Sequence, residues 1–208
     1  MIALWYWLQE NWKDVVEAAS AVTVAVCAVC ALYTWRKEFV GKKKIEFAAE
    51  FMEKAIEIKD LISFVRNGWA AEAEKKEIEE KLKKEGCFYE SAKLSYLVPK
   101  WRLLQNDSKI MTFSNLRTKA LMYFGEDALK IFYLINKIIL HINFEAEILF
   151  KDSDFLSKKI RQEYQKTIWA SFDDEDKIAL EFDKVVNELK SNLEPIYRDK
   201  KYKWKKIK

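Results

Sequence analysis

Ala18 to Trp35 reads AASAVTVAVCAVCALYTW and holds no charged residue. A helix of that composition has two homes, a protein core or a bilayer. With Val15 and Val16 added, and Glu17 as the single charge, the stretch runs to just over twenty residues. At about 1.5 Å of rise per residue it covers about 30 Å, one hydrocarbon core. Nothing else in the chain approaches it. The sequence therefore predicts a membrane-spanning helix over 13–36, with a buried soluble helix as the alternative. An interfacial segment 1–12 precedes it. A cytosolic helical bundle over 37–199 and a polybasic tail over 200–208 follow.

The flanks set the orientation. A cleavable signal peptide begins with a basic flank and has a shorter apolar core. Here Glu10, Asp14 and Glu17 outweigh Lys13 and make the leading flank acidic, and Arg36, Lys37, Lys42, Lys43 and Lys44 follow the span. Excess Lys and Arg marks the cytoplasmic side, so the N-terminus is expected outside and the larger domain inside a bacterial inner membrane. Trp5, Trp7 and Trp12 before the span, and Tyr33 and Trp35 after it, form the expected pair of interfacial girdles, with Arg36 and Lys37 at the inner one. Residues 1–12, MIALWYWLQENW, either lie in the interface as a short amphipathic piece or extend the membrane helix.

Ala18, Ala21, Ala25, Ala28 and Leu32 recur at steps of three and four, one helical face. In lipid, where apolarity gives helices no reason to associate, small residues allow close backbone approach. The face is a candidate packing surface between copies, or an incidental feature of an alanine-rich span. Cys27 and Cys30 spell C-x-x-C, but with no further ligands nearby they are expected to be small packing residues.

Only 4 Gly and 2 Pro in 208 residues argue against the frequent turns of β or α/β folds, and for long helices. The expected class is all-α. Helical spacing resumes after the span through Phe51, Ala55, Ile58, Ile62 and Val65, ending near Arg66-Asn67-Gly68 with Gly68 as the cap. Residues 69–84 read as an exposed helix or a connection, closed by Gly86. Residues 88–124 read as a kinked helix or two shorter ones, interrupted near Pro99 and at 106–108. Residues 126–150 are apolar on more than one face and are expected at the centre of the bundle. Asp154 is expected to cap a helix through Trp169. Asp173-Asp174 opens a last helix that Pro195 ends.

Catalytic signals are sparse. One histidine excludes multi-His metal sites, phosphate-binding glycine motifs are missing, and no cofactor or metal is implied. Glu72/Lys76 and Glu77/Lys81 read as solvated i,i+4 pairs. His141, five residues after Asn136, stands on the central helix. Helical RNases that place Arg five residues before His use the ring as acid or base and the cation on phosphate. Here Asn136 occupies the Arg position, and a bland histidine is the competing reading. The tail KKYKWKKIK carries Lys200, Lys201, Lys203, Lys205, Lys206 and Lys208 around Tyr202 and Trp204. Each lysine near an anionic leaflet contributes about 1 kcal/mol. The same composition suits RNA, a protein partner or plain solubility.

Four short segments carry a resemblance: Tyr33-Thr34-Trp35-Arg36-Lys37-Glu38-Phe39 at the end of the span, Arg66-Asn67-Gly68-Trp69 after the long helix, Tyr123-Phe124-Gly125 before the central helix, and Ile168-Trp169 before the last. The layout resembles bacterial single-pass proteins with helical cytoplasmic domains. More remotely it is similar to the membrane-anchored accessory proteins of RNA-targeting type VI CRISPR systems. That resemblance implies a divergent HEPN-like helical domain, assembly into membrane pores in antiviral defence, homo-oligomerisation, and contact with an RNA-guided effector complex. Asn136 departs from the R-x-x-x-x-H motif. Three functions follow as expectations: an oligomeric, membrane-perturbing effector, a membrane-tethered RNase using His141, or a passive scaffold that uses its lysine-rich tail.

Overall fold

The structure, a computed structural model, describes residues 11–87, 90–170 and 176–197. All regular elements among them are helical. The chain separates into two units, Met1–Phe47 and Ala48–Lys208.

Helix α1 runs Trp12–Val65. Gly41 does not interrupt it. Its residues up to 47 make up the first unit, where the stretch long and apolar enough to cross a membrane has no part buried. Val22, Val24, Val26, Val29 and Leu32 are each more than half exposed. The hydroxyls of Ser20 and Thr23 donate to the carbonyls of Val16 and Ala19, at 2.7 and 2.8 Å. Both polar side chains are thus satisfied within the helix, as a bilayer interior requires.

In the second unit, α1 contributes Ala48, Phe51, Ala55, Ile58, Ile62 and Val65, all buried. The remaining helices are α2 (Glu72–Lys84), α3 (Val98–Gln105), α4 (Asp107–Ser114), α5 (Arg117–Phe124), α6 (Lys130–Asp152), α7 (Lys158–Ile168) and α8 (Lys177–Tyr197), with 3-10 segments at Ser91–Leu97 and Glu126–Leu129. Helix α6 buries residues from Ile131 to Leu149 and packs against α3, α7, α8 and both 3-10 segments, so the most apolar helix of this unit is its centre. At one end the ring of Phe51 stacks with Phe113, Phe124 and Phe132, centroids 5.6–6.2 Å apart. Towards the other, Ala146, Leu149 and Ile168 pack with Tyr96, Leu156, Tyr164 and Trp169. A third cluster joins Ile78, Leu94 and Val98.

Helix α2 ends at Gly86, whose φ of 68° allows a Schellman motif: Cys87 N–H donates to Leu82 and Gly86 N–H to Lys83. Several expected terminations differ. Gly68 is not left-handed, and α1 is stopped instead by a side chain from α3 described below. Pro99 sits in the first turn of α3, where its missing N–H costs nothing, so it starts a helix rather than breaking one. Ser157, not Asp154, caps α7 by accepting from Ile160 N–H, and Asp154 pairs with Lys93 across the body. Pro195 lies within α8 rather than at its end. Asp173 and Asp174 fall outside the described residues, and Asp176 accepts from the Ile178 and Ala179 N–H groups at the start of α8. The expected Glu72/Lys76 and Glu77/Lys81 pairs are replaced. Glu72 meets Lys75, Glu77 accepts from the Trp101 indole, and Lys81 lies over that ring.

Candidate functional site

The apolar part of α1 is exposed all round, the expected packing face included. Ala18, Ala21, Ala25, Ala28 and Leu32 are all exposed, as are Cys27 and Cys30. At its polar end Tyr33 and Trp35 are exposed, with Arg36 and Lys37 directly after them. Trp35 stacks on Phe39 at 5.6 Å, and Lys43 Nζ stands 5.9 Å from the Phe39 centroid. Trp12 is exposed at the opposite end of the stretch. Trp5 and Trp7 lie outside the described residues, as does the tail with Lys200, Lys201, Lys203, Trp204, Lys205, Lys206 and Lys208. Among the described residues, no group of three His, Cys, Asp or Glu side chains could hold a metal ion.

His141 is about half exposed on the outer side of α6, with Nδ1 3.2 Å from Oε1 of the buried Glu145 one turn later. The other carboxylate oxygen of Glu145 is buried without a hydrogen-bond partner. When Nδ1 carries the proton it donates to Glu145, leaving Nε2 free to exchange a proton. Asn136 is exposed on the same helix, about 140° around it from His141 at about 100° per residue. Among the described residues, the structure gives His141 a carboxylate, and the ammonium of Lys137 one turn earlier pairs with Glu181 on α8. Glu145 was not singled out from sequence, although an acid four residues after the lone histidine on an apolar face is a readable signal.

Two buried arginines dominate the polar chemistry of the body. Arg66 donates from Nε to the Thr167 carbonyl at 2.8 Å and from Nη2 to the Lys166 and Trp169 carbonyls. Its Nη1 meets both oxygens of Asp176 at 3.0 and 2.9 Å. One guanidinium thus satisfies the C-terminus of α7 while pairing with the acid that caps α8. Arg102, from α3, repeats the device. It grips Glu74 bidentately at 2.7 and 2.8 Å and donates to the carbonyls of Phe64, Asn67 and Trp69 at the end of α1. Its guanidinium also lies over the Phe64 ring. Glu74 in turn accepts from Ala71 N–H at the start of α2. The Arg102 hydrogen bonds hold the Glu74 carboxyl below its ordinary range, against the burial that pushes it up, with the Ala71 amide helping. Each arginine places a cation at one helix C-terminus and an anion at the next N-terminus, matching both macrodipoles. These are structural joints with every donor group engaged. A cleft of about 310 Å³ lies beside Arg66 and Asp176, but Arg66 is held there and Lys59 pairs with Asp183. Among the described residues its lining presents no uncommitted charge to a ligand.

No protein-family model, curated protein or solved structure matches the chain.

Proposed function

We propose that the chain is a membrane-anchored effector whose copies associate through the Ala18–Leu32 face and perturb the bilayer, up to forming a pore. The observation that carries this reading is a small-residue stripe within an apolar stretch that the rest of the chain leaves exposed. The same three-and-four spacing in residues 48–65 is buried by the rest of the body, whereas the small-residue stripe of the span is left for another helix. The satisfied hydroxyls of Ser20 and Thr23 support a lipid surround. The basic residues after Trp35 support a cytoplasmic body and an inner bacterial membrane. The layout shared with accessory proteins of type VI CRISPR systems supports a divergent HEPN-like body and a role in antiviral defence beside an RNA-guided complex. Crosslinking in native membranes is expected to give oligomers, and reconstituted protein to pass ions. Ala21→Leu with Ala25→Leu, which moves the backbones apart, is expected to abolish both while leaving the chain membrane-bound. Wild-type protein that stays monomeric in membranes refutes the proposal.

One observation favours a second reading. The Glu145-backed imidazole of His141 is equipped to move a proton, as a membrane-tethered RNase requires. The full chain then cuts RNA and His141→Ala abolishes cutting. Cutting that survives the substitution ends this reading.

A further inference from the structure

The face that carries the small residues does not stop where the span stops. At about 100° per residue, Ala18, Ala21, Ala25, Ala28 and Leu32 fall within an arc of about 80° on α1. Trp35, Arg36, Phe39 and Lys43 all lie within about 60° of the centre of that arc, whereas Lys42 stands about 80° from it and Lys37 and Lys44 more than about 100°. The alanine stripe thus runs on, within the first unit, into an aromatic and basic strip. Contacts along the helix tie this strip together. Trp35 stacks on Phe39 at 5.6 Å, and Lys43 Nζ stands 5.9 Å from the Phe39 centroid, with both rings exposed. Lys43 also pairs with Glu46 at 3.1 Å, so its charge is met on its own helix. Arg36 is exposed and has no ion-pair partner among the described residues. The uncompensated charge of the face is therefore the guanidinium of Arg36.

Copies anchored in one sense keep equal residues at equal depth under any rotation about the membrane normal. Packing through the Ala18–Leu32 face then sets Arg36 of one copy beside Arg36 of the next. Like charges set against one another oppose association. Trp35 and Phe39 add a steric condition. The alanines let backbones close on each other, and two bulky rings in the same arc hold them apart one turn later. That leaves a space edged by aromatic rings and guanidinium groups, at the depth where the uncharged stretch ends and headgroups begin.

From this geometry, which rests on the anchored, self-associating reading above, we infer that Arg36 binds the phosphate of an anionic phospholipid, and that this lipid, seated between neighbouring copies, is required for their assembly. A guanidinium takes a phosphate bidentately, and the Trp35 indole adds an N–H donor at the headgroup level. The net charge selects the lipid. Residues 36–47 hold five cations against two acids. A zwitterionic headgroup carries its own cation and leaves that excess standing, whereas an anionic one offsets it. Free phosphate shares the chemistry, but a lipid is held at this depth by its tails.

The test uses the full chain with Cys27→Ala and Cys30→Ala, both positions more than about 100° from the centre of the arc. The exposed Cys87 carries a donor or an acceptor dye. The protein is reconstituted in phosphatidylcholine vesicles with or without phosphatidylglycerol, and energy transfer between copies is read. Transfer is expected to rise several-fold with phosphatidylglycerol. Arg36→Gln, which removes the opposed charges, is expected to give equal transfer in the two lipids. Lys42→Gln removes the same charge outside the arc and is expected to keep the wild-type response. Glycerol phosphate added to phosphatidylcholine vesicles is expected to change nothing. An Arg36→Gln variant that responds to phosphatidylglycerol as the wild type does overturns the inference, and glycerol phosphate that replaces the lipid overturns the lipid as its source. Strong wild-type transfer in both lipids sinks this inference alone. No wild-type transfer in either lipid sinks the self-associating reading with it.

Discussion

Helix α1 contains the same spacing twice. Ala18, Ala21, Ala25, Ala28 and Leu32 step by three and four, and so do Ala48, Phe51, Ala55, Ile58, Ile62 and Val65. The second stripe is buried and the first is wholly exposed. The difference lies in the residues between. In the second stretch half of them are charged, Glu50, Glu53, Lys54, Glu57, Lys59 and Asp60, which commits the opposite face to water and the stripe to a core. In the first they are uncharged, Val, Ala and Cys with Ser20 and Thr23, so no face is committed to water, and in lipid only close packing of the small residues favours covering the stripe. A hydrophobic stripe thus encodes a buried face only where its surroundings are polar.

The largest expected effect breaks the comparison on the lipid side. Val22→Lys with Val26→Lys adds about 2.5–3.5 kcal/mol per lysine at the centre of a span. The variant is expected to be stripped by alkaline carbonate, while thermal unfolding of the helical body in detergent stays unchanged. Retention in the membrane pellet means that these positions do not face lipid.

Phe51→Ala reverses the pattern. Removing the ring shared by Phe113, Phe124 and Phe132 costs about 3–5 kcal/mol. The urea midpoint of the body is expected to fall with membrane retention intact.

Arg102→Met is expected to cost about 3 kcal/mol or more, because it strands Glu74 and the last carbonyls of α1. The pH dependence sharpens this. The folded Glu74 carboxyl titrates below its unfolded value of about 4.3. Its contribution is complete above that unfolded value and disappears as pH falls through the lower folded one. A stability difference between wild type and Glu74→Gln that holds at neutral pH and shrinks with acid is expected. A difference independent of pH assigns the effect to packing.

The smallest contrast lies at one helix start. Ser157→Ala is expected to lower stability by about 1 kcal/mol, the loss of one cap. Asp154→Asn, at an exposed pair with Lys93, is expected to leave the midpoint of unfolding unchanged. The reverse order restores Asp154 as the cap.

Helix interiors were legible wherever apolar residues kept a 3.6-residue period. The centrality of α6 followed from the excess of its apolar faces, and the end of α2 from Gly86. Helix ends closed by distant partners were not legible. Local signals favoured Gly68, Asp154 and Pro195, but α1 is closed by Arg102 from 35 residues beyond Asn67. The backbone groups at a helix end accept any partner of suitable geometry, and local sequence does not state which distant side chain arrives. The candidate site divides the same way. His141 was visible as the lone histidine and Glu145 stood one turn after it, whereas their 3.2 Å contact and the burial of the carboxylate needed coordinates.

The sequence by itself determined that the chain is helical, that one stretch is apolar around its whole circumference, and that its positive charge gathers after that stretch and at the C-terminus. These properties are summed along the chain and need no fold to be read. The tertiary structure alone decided that two arginines close α1 and α7, and that α8 runs antiparallel to the 48–65 part of α1 and to α6. Direction and pairing between helices depend on contacts across a hundred residues or more, as Arg66 with Asp176, and no local pattern carries that information.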